Sequence, residues 1–198
     1  STGEVGRRWT FVDNNDGKSH TVDVMVSLDA VERAVAGHGI PLDLMQRNFS
    51  APTDLDALEA SWLAILRERG LKEREASLSA DWVWMAERSV DGLSDVVEAL
   101  RAAAGAKAEG RAWAGFLASF VQTLPYHVPT SEELAPEFYF HEVMPPLETL
   151  ARGWGDCDTK SVLFAALLLA SGGPEPVMVL VPRHMFAGAV LEPRASDA

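Results

Sequence analysis

Apolar side chains alternate with polar ones at the start of the chain: Trp9 and Phe11 in one run, and Val22, Val24 and Val26 in a second. A period of two predicts two half-buried strands, and Asp13-Asn14-Asn15-Asp16-Gly17 between them supplies a turn, so the chain opens on a β-hairpin. The period then changes. Ser27-Leu28-Asp29 starts a short helix that stops near Gly37-His38-Gly39, with Ser27 or Asp29 as its cap. Thr53-Asp54 opens a longer helix, with Leu55, Leu58, Trp62, Leu63, Ile65 and Leu66 as its apolar positions. Residues 71 to 104 continue a helical pattern through Trp82, Val83, Met85, Val96, Val97 and Leu100, broken at Asp91-Gly92. Residues 108 to 123 give another helix. A long segment rich in Pro, Glu and aromatics follows between Pro125 and Pro146.

The last third is more sharply punctuated. From Asp158 to Ala170 the chain is built of strong helix formers that turn apolar on every face after Ser161, which predicts a buried helix with only its start exposed. Ser171-Gly172-Gly173-Pro174 ends it. The run Val177 to Val181 reads as a strand, and after Pro182-Arg183 a second strand begins at His184. The pattern as a whole predicts an α+β fold. Residues 1–50 form an N-terminal hairpin and short helix, and residues 51–198 form a helical segment and an α+β core, joined as one compact unit.

This punctuation gives the one cysteine its interest. Cys157 stands in Gly153-Trp154-Gly155-Asp156-Cys157-Asp158, where a glycine-rich turn enters the buried helix. A thiol in a first helical turn meets unpaired backbone N–H groups and the positive end of the macrodipole, both of which favour the thiolate. Asp156 reads as the helix cap and Asp158 as a complement to the dipole, and their charge opposes thiolate formation. Lys160, one turn along, offsets part of that charge or stands exposed. His184 follows on a strand, placed to act as a base if the fold packs that strand across the helix start. Spacing alone does not establish that contact, and a lone cysteine or histidine also fits a simple packing role.

The series Phe120-Val121-Gln122-x-x-Pro125-Tyr126, Pro146-Leu147-Glu148-Thr149-Leu150, Gly155-Asp156-Cys157-Asp158 and His184-Met185 resembles the bacterial and archaeal transglutaminase-like branch of the papain-type cysteine peptidase superfamily, over about residues 110 to 190. The resemblance implies a transglutaminase-like core with the nucleophile at the N-terminus of a buried helix packed on an antiparallel sheet. It implies a Cys-His-acid triad and acyl transfer through a thioester on peptide or protein amides, with no organic cofactor. Cys157 is then the nucleophile, His184 the base, and Gln122 with the Cys157 backbone N–H the oxyanion hole. The superfamily takes its third triad member from the strand after the histidine. If Glu192-Pro193-Arg194-Ala195 makes the turn, antiparallel pairing puts the partner of His184 near position 204, beyond Ala198. No third member is therefore assigned, and the expectation is a natural chain that continues. The alternative from another class is a noncatalytic protein- or peptide-binding module on the same fold.

Composition removes other classes. A net charge of −12, shared as −8 in residues 1–100 and −4 in residues 101–198, disfavours nucleic-acid binding. No apolar run approaches the roughly 18 residues of a membrane span. The chain as given reads as soluble, and a free thiol fits either the cytoplasm or an exported enzyme. His20, His38, His127, His141 and His184 show no paired spacing, and a single cysteine builds no zinc cluster. The Asp13–Gly17 stretch fails as a calcium loop, its glycine a position early and Val24 in place of the terminal Glu. Some relatives with acids beside the cysteine use calcium, which leaves Asp156 and Asp158 as a minor metal hypothesis; the reading assigns no metal. Trp82-x-Trp84 reads as a buried aromatic contact before a ligand groove.

Overall fold

A computed structural model describes residues 3–44, 55–74, 77–105, 108–130, 133, 138–141 and 143–193. Strands β1 (Glu4–Val12) and β2 (Ser19–Ser27) pair antiparallel from Glu4↔Ser27 to Val12↔Ser19, the expected opening hairpin. Helix α1 (Leu28–Gly37) follows directly, and Ser27 caps it by accepting from the Ala30 N–H. Strand β3 (Ile40–Pro41) precedes α2 (Leu55–Glu68); the Thr53-Asp54 start lies outside the described residues.

Residues 71–80 correct the sequence reading. They form a second hairpin, β4 (Leu71–Arg74) with β5 (Ser77–Ala80), in place of the expected helix. Leu71 and Ala80, paired across it, are both buried, and that burial outweighs the helical preference of the charged residues between them. Helices α3 (Trp82–Arg88) and α4 (Ser94–Ala104) flank a 3₁₀ turn at Val90–Leu93, where the break at Asp91-Gly92 was expected. Helix α5 (Gly110–Thr123), strand β6 (Phe138–Phe140) paired with β3, and α6 (Pro146–Arg152) lead to the central helix α7 (Cys157–Ala170). The hairpin β7 (Pro176–Val181) and β8 (His184–Ala189) completes the fold. Helices and small antiparallel sheets make it an α+β protein.

The α7 side chains from Thr159 to Leu168, Lys160 excepted, are buried on all faces. Neighbours explain why: α3, α5, α6, the 3₁₀ turn and β8 all pack against it. Each fully buried Leu or Val there contributes about 1.5–3 kcal/mol before chain entropy is counted. The N-terminal hairpin belongs to the same core. Phe11 packs edge-on to Phe116 and Phe120 of α5, at ring-centroid distances of 5.1 and 5.7 Å, and Val22, Val24 and Val26 join the same cluster. Trp82 is buried in that cluster, the packing role read from the sequence. A smaller cluster of Ile40, Leu66 and Leu71 holds α2 to β4.

Candidate functional site

Local backbone chemistry places Cys157. Helix α6 ends at Gly153, whose φ of 80° lies in the left-handed region open to glycine, and the Gly153 N–H donates to the Thr149 carbonyl at 2.8 Å. Two residues on, Gly155 pairs with Tyr126 in an isolated parallel bridge: its N–H donates to Pro125 O, and its carbonyl accepts from His127 N, each at 3.2 Å. Asp156 then caps α7, accepting from Thr159 N at 3.0 Å as expected. Cys157 is therefore the first residue of α7, half-buried, with residues 125–127 fixed beside it.

Lys160 ties this point to α5. Its ammonium donates to the Leu124 carbonyl at 2.8 Å and the Gln122 carbonyl at 3.4 Å, supplying a cation at the C-terminal end of a helix with no basic residue in its last turn. It is neither simply exposed nor hydrogen-bonded to the thiol, and partial burial lowers its pKa. The Gln122 side chain is exposed, and its Oε1 accepts from Asn14 Nδ2 at 3.4 Å, which assigns the oxygen to Asn14 and leaves the Gln122 amide N–H groups as the donor end.

These elements enclose a groove of about 480 Å³ between α5, α7 and β8, and its lining includes all three residues singled out in the sequence: Cys157, His184 and Gln122. His184 opens β8 beyond a two-residue turn, opposite Val181. Alternation along β8 buries Met185 and leaves His184 exposed beside Phe186, with 6.2 Å between ring centroids. The three are brought to one groove, but Cys157 and His184 are not hydrogen-bonded to each other. The thiol instead donates to Asp158 Oδ1 at 3.1 Å.

That contact corrects the electrostatic expectation. Burial is the largest influence on Cys157 and raises its pKa; the Met185 backbone N–H lowers it, and the bond to Asp158 and the charges of Asp158 and Asp156 raise it further. The balance lies above the ordinary thiol value, so the helix N-terminus does not leave a resting thiolate. Tyr126 enters the sequence reading only as part of a motif, yet it lines the same groove. Desolvation is the largest influence on its hydroxyl and raises its pKa, and the nearby acidic groups of the helix start act in the same direction. The bridge to Gly155 that brings it there spans 29 positions and has no local sequence signal.

Farther along the same loop, His127 packs edge-on to Trp154 at 4.5 Å and bonds to Glu133 at 2.9 Å. The Thr130 N–H, then His127, holds Glu133 down to about 2, so this corner stays charged across the physiological range. A larger cavity of about 610 Å³ lies between α1 and α3, lined by Arg33, Arg69, Arg88 and His38, and does not include the thiol. Among the described residues Asp13, Asp16 and His20 offer ligand atoms within 4.8 Å of one another; Asp156 and Asp158 form no such group. No helix among the described residues is long and apolar enough to cross a membrane. No family model, curated protein or solved structure matches this chain.

Proposed function

We propose that this chain is a transglutaminase-like cysteine acyl-transfer enzyme acting on peptide or protein amides. The observation that supports it is convergence: a helix-start thiol, a strand imidazole and a side-chain amide donor, from three separate elements, line one groove. In the resting state the thiol is protonated and held by Asp158. Catalysis then starts with a rearrangement in which the thiol leaves Asp158 and passes its proton to the imidazole of His184. The sulfur attacks the amide carbonyl carbon, and the carbonyl oxygen takes up the electron pair, facing the Cys157 backbone N–H and the Gln122 amide. Collapse of this adduct breaks the C–N bond, and His184 returns its proton to the departing amine. Water or a second amine, deprotonated by the same imidazole, cleaves the thioester and restores the thiol.

One observation favours a second reading, a noncatalytic peptide-binding module: the thiol spends its hydrogen bond on a carboxylate and its pKa is raised. Acylation by p-nitrophenyl acetate, followed by intact mass, separates the two. The enzyme reading expects a burst of one acetyl group on Cys157, absent in Cys157→Ala and slowed by about 100-fold or more in His184→Ala. Equal acylation of wild type and His184→Ala would leave the module reading.

A further inference from the structure

Three arginines line the larger cavity, in a chain that carries 17 basic against 29 acidic residues. Ala30, Arg33, Ala34 and Gly37 fall on one face of α1, and Trp84, Met85, Arg88 and Ser89 on one face of α3, each at the spacing of successive helical turns. The alanines and glycine of α1 leave the space, and Arg33 and Arg88 border it from the two helices. Arg69, just past α2, is already committed: its guanidinium donates to the carbonyls of Ala36, His38 and Gly39 and so serves the C-terminal end of α1, whose last turn has no basic residue. Arg33 and Arg88 are exposed and uncommitted, and among the described residues neither has an ion pair or a side-chain hydrogen bond.

The cavity also has an apolar wall, made by Trp84, Met85 and Leu147. A Cβ at Gly70 would run into the six-membered ring of Trp84, so the bare backbone of Gly70, at φ 67°, seats the indole. His38 lines the cavity as well and is 1 % exposed. Its Nδ1–H donates to the Arg69 carbonyl at 3.1 Å, which makes Nε2 the acceptor nitrogen, and Nε2 has no hydrogen-bond partner among the described residues. A buried acceptor of this kind favours a ligand that brings a hydroxyl. Glu68 and Asp91 also border the cavity, and Asp43 acts on Arg69, but none of these acids pairs with Arg33 or Arg88. They limit the ligand to one anionic group rather than several. The volume of about 610 Å³ is that of a small-molecule site.

We infer that this cavity binds a small organic anion, with a single phosphate or carboxylate group held by Arg33 and Arg88 and a flat apolar body on Trp84. A guanidinium fork matches either oxyanion, and two forks from separate helices fix its orientation. The net charge of −12 makes the two uncommitted arginines a local exception on a surface that repels anions, so affinity falls as salt is added. The site is separate from the Cys157 groove and stands whether or not the thiol is catalytic.

Calorimetric titration of the intact chain with phenyl phosphate, benzoate, inorganic phosphate and benzyl alcohol tests the inference. The expected result is saturable binding of an aromatic anion, with inorganic phosphate and benzyl alcohol weaker by about tenfold or more. Tighter binding of phenyl phosphate would support the site with phosphate as its head group, and tighter binding of benzoate would support it with carboxylate. Arg33→Gln and Arg88→Gln should each weaken the aromatic anion by about tenfold or more, while Lys18→Gln, which removes the same charge from the opening hairpin, should change it by less than about twofold. If either glutamine variant fails to fold, Arg33→Lys and Arg88→Lys, which keep the charge and lose the fork, should still weaken binding. No saturable binding of either aromatic anion up to about 10 mM would overturn the inference. So would equal losses in Arg33→Gln, Arg88→Gln and Lys18→Gln, the mark of a general charge effect. Equal affinity for inorganic phosphate and phenyl phosphate would overturn it too, since the arginines would then act without an apolar site.

Discussion

Cys157 shows how burial and a hydrogen bond to a neighbouring carboxylate together set the state of a reactive group. Its place at the first residue of α7 was legible from Gly155-Asp156-Cys157, because glycine-rich turn, cap and apolar helix are all local signals. Its partner was not legible, since the choice between Asp158 and His184 is made by side-chain geometry. Removing that acceptor should release the thiol: Asp158→Asn is expected to lower the apparent pKa in a pH–rate profile of alkylation and to raise the rate at pH 7, whereas an unchanged profile would mean that burial alone sets it. His38 gives a second residue-scale prediction. Burial, then the charge of His141, lowers its pKa from 6.5 to about 3, with Nδ1 bonded to the Arg69 carbonyl and Arg69 charged alongside. The folded state thus binds fewer protons than the unfolded chain in that window. Stability from His38 is complete above pH 6.5 and is lost as pH falls toward 3. A His38→Asn variant should show a flatter dependence of urea-unfolding free energy between those limits; a dependence as steep as wild type would assign the acid sensitivity elsewhere.

Elements form where local and tertiary preferences agree, and the departures have identifiable causes. The opening hairpin was readable from its period of two, α7 from its all-apolar run of helix formers, and β7 and β8 from a short apolar run and the strand after Pro182-Arg183. The hairpin at residues 71–80 was not, because Lys72, Glu73 and Arg74 are good helix formers and only the pairing of Leu71 with Ala80 in the packed fold reveals the strands. At the start of α7, Asp156→Ala should cost about 1 kcal/mol in chemical denaturation through loss of the bond to the Thr159 N–H. The turn of the last hairpin carries the opposite opportunity. Pro182 precedes Arg183 at φ 63°, the type II pattern whose third position suits glycine. Arg183→Gly is expected to stabilise the protein by about 1 kcal/mol; a loss of stability would mean that the arginine side chain makes up for its backbone strain.

In the whole molecule the candidate site depends on the N-terminal hairpin as well as on the segment that carries its residues. Asn14 holds the Gln122 amide from the turn of that hairpin, and the hydroxyl of Ser119 on α5 accepts from the Asn14 N–H at 3.0 Å. Phe11 seats the hairpin on the same helix. Phe11→Ala should therefore destabilise the chain by about 3–5 kcal/mol, with fluorescence and circular dichroism reporting one coincident transition; separate transitions would mean that hairpin and core fold independently. The central claim, that groove, thiol and imidazole form one working unit, is tested most directly by iodoacetamide alkylation of Cys157 from about pH 6 to about 11 in wild type and His184→Ala. A base that takes the thiol proton matters only while that proton is present. The account predicts that wild type reacts faster at pH 7 and that the two rates converge above the thiol pKa. Superimposable profiles at every pH would contradict it.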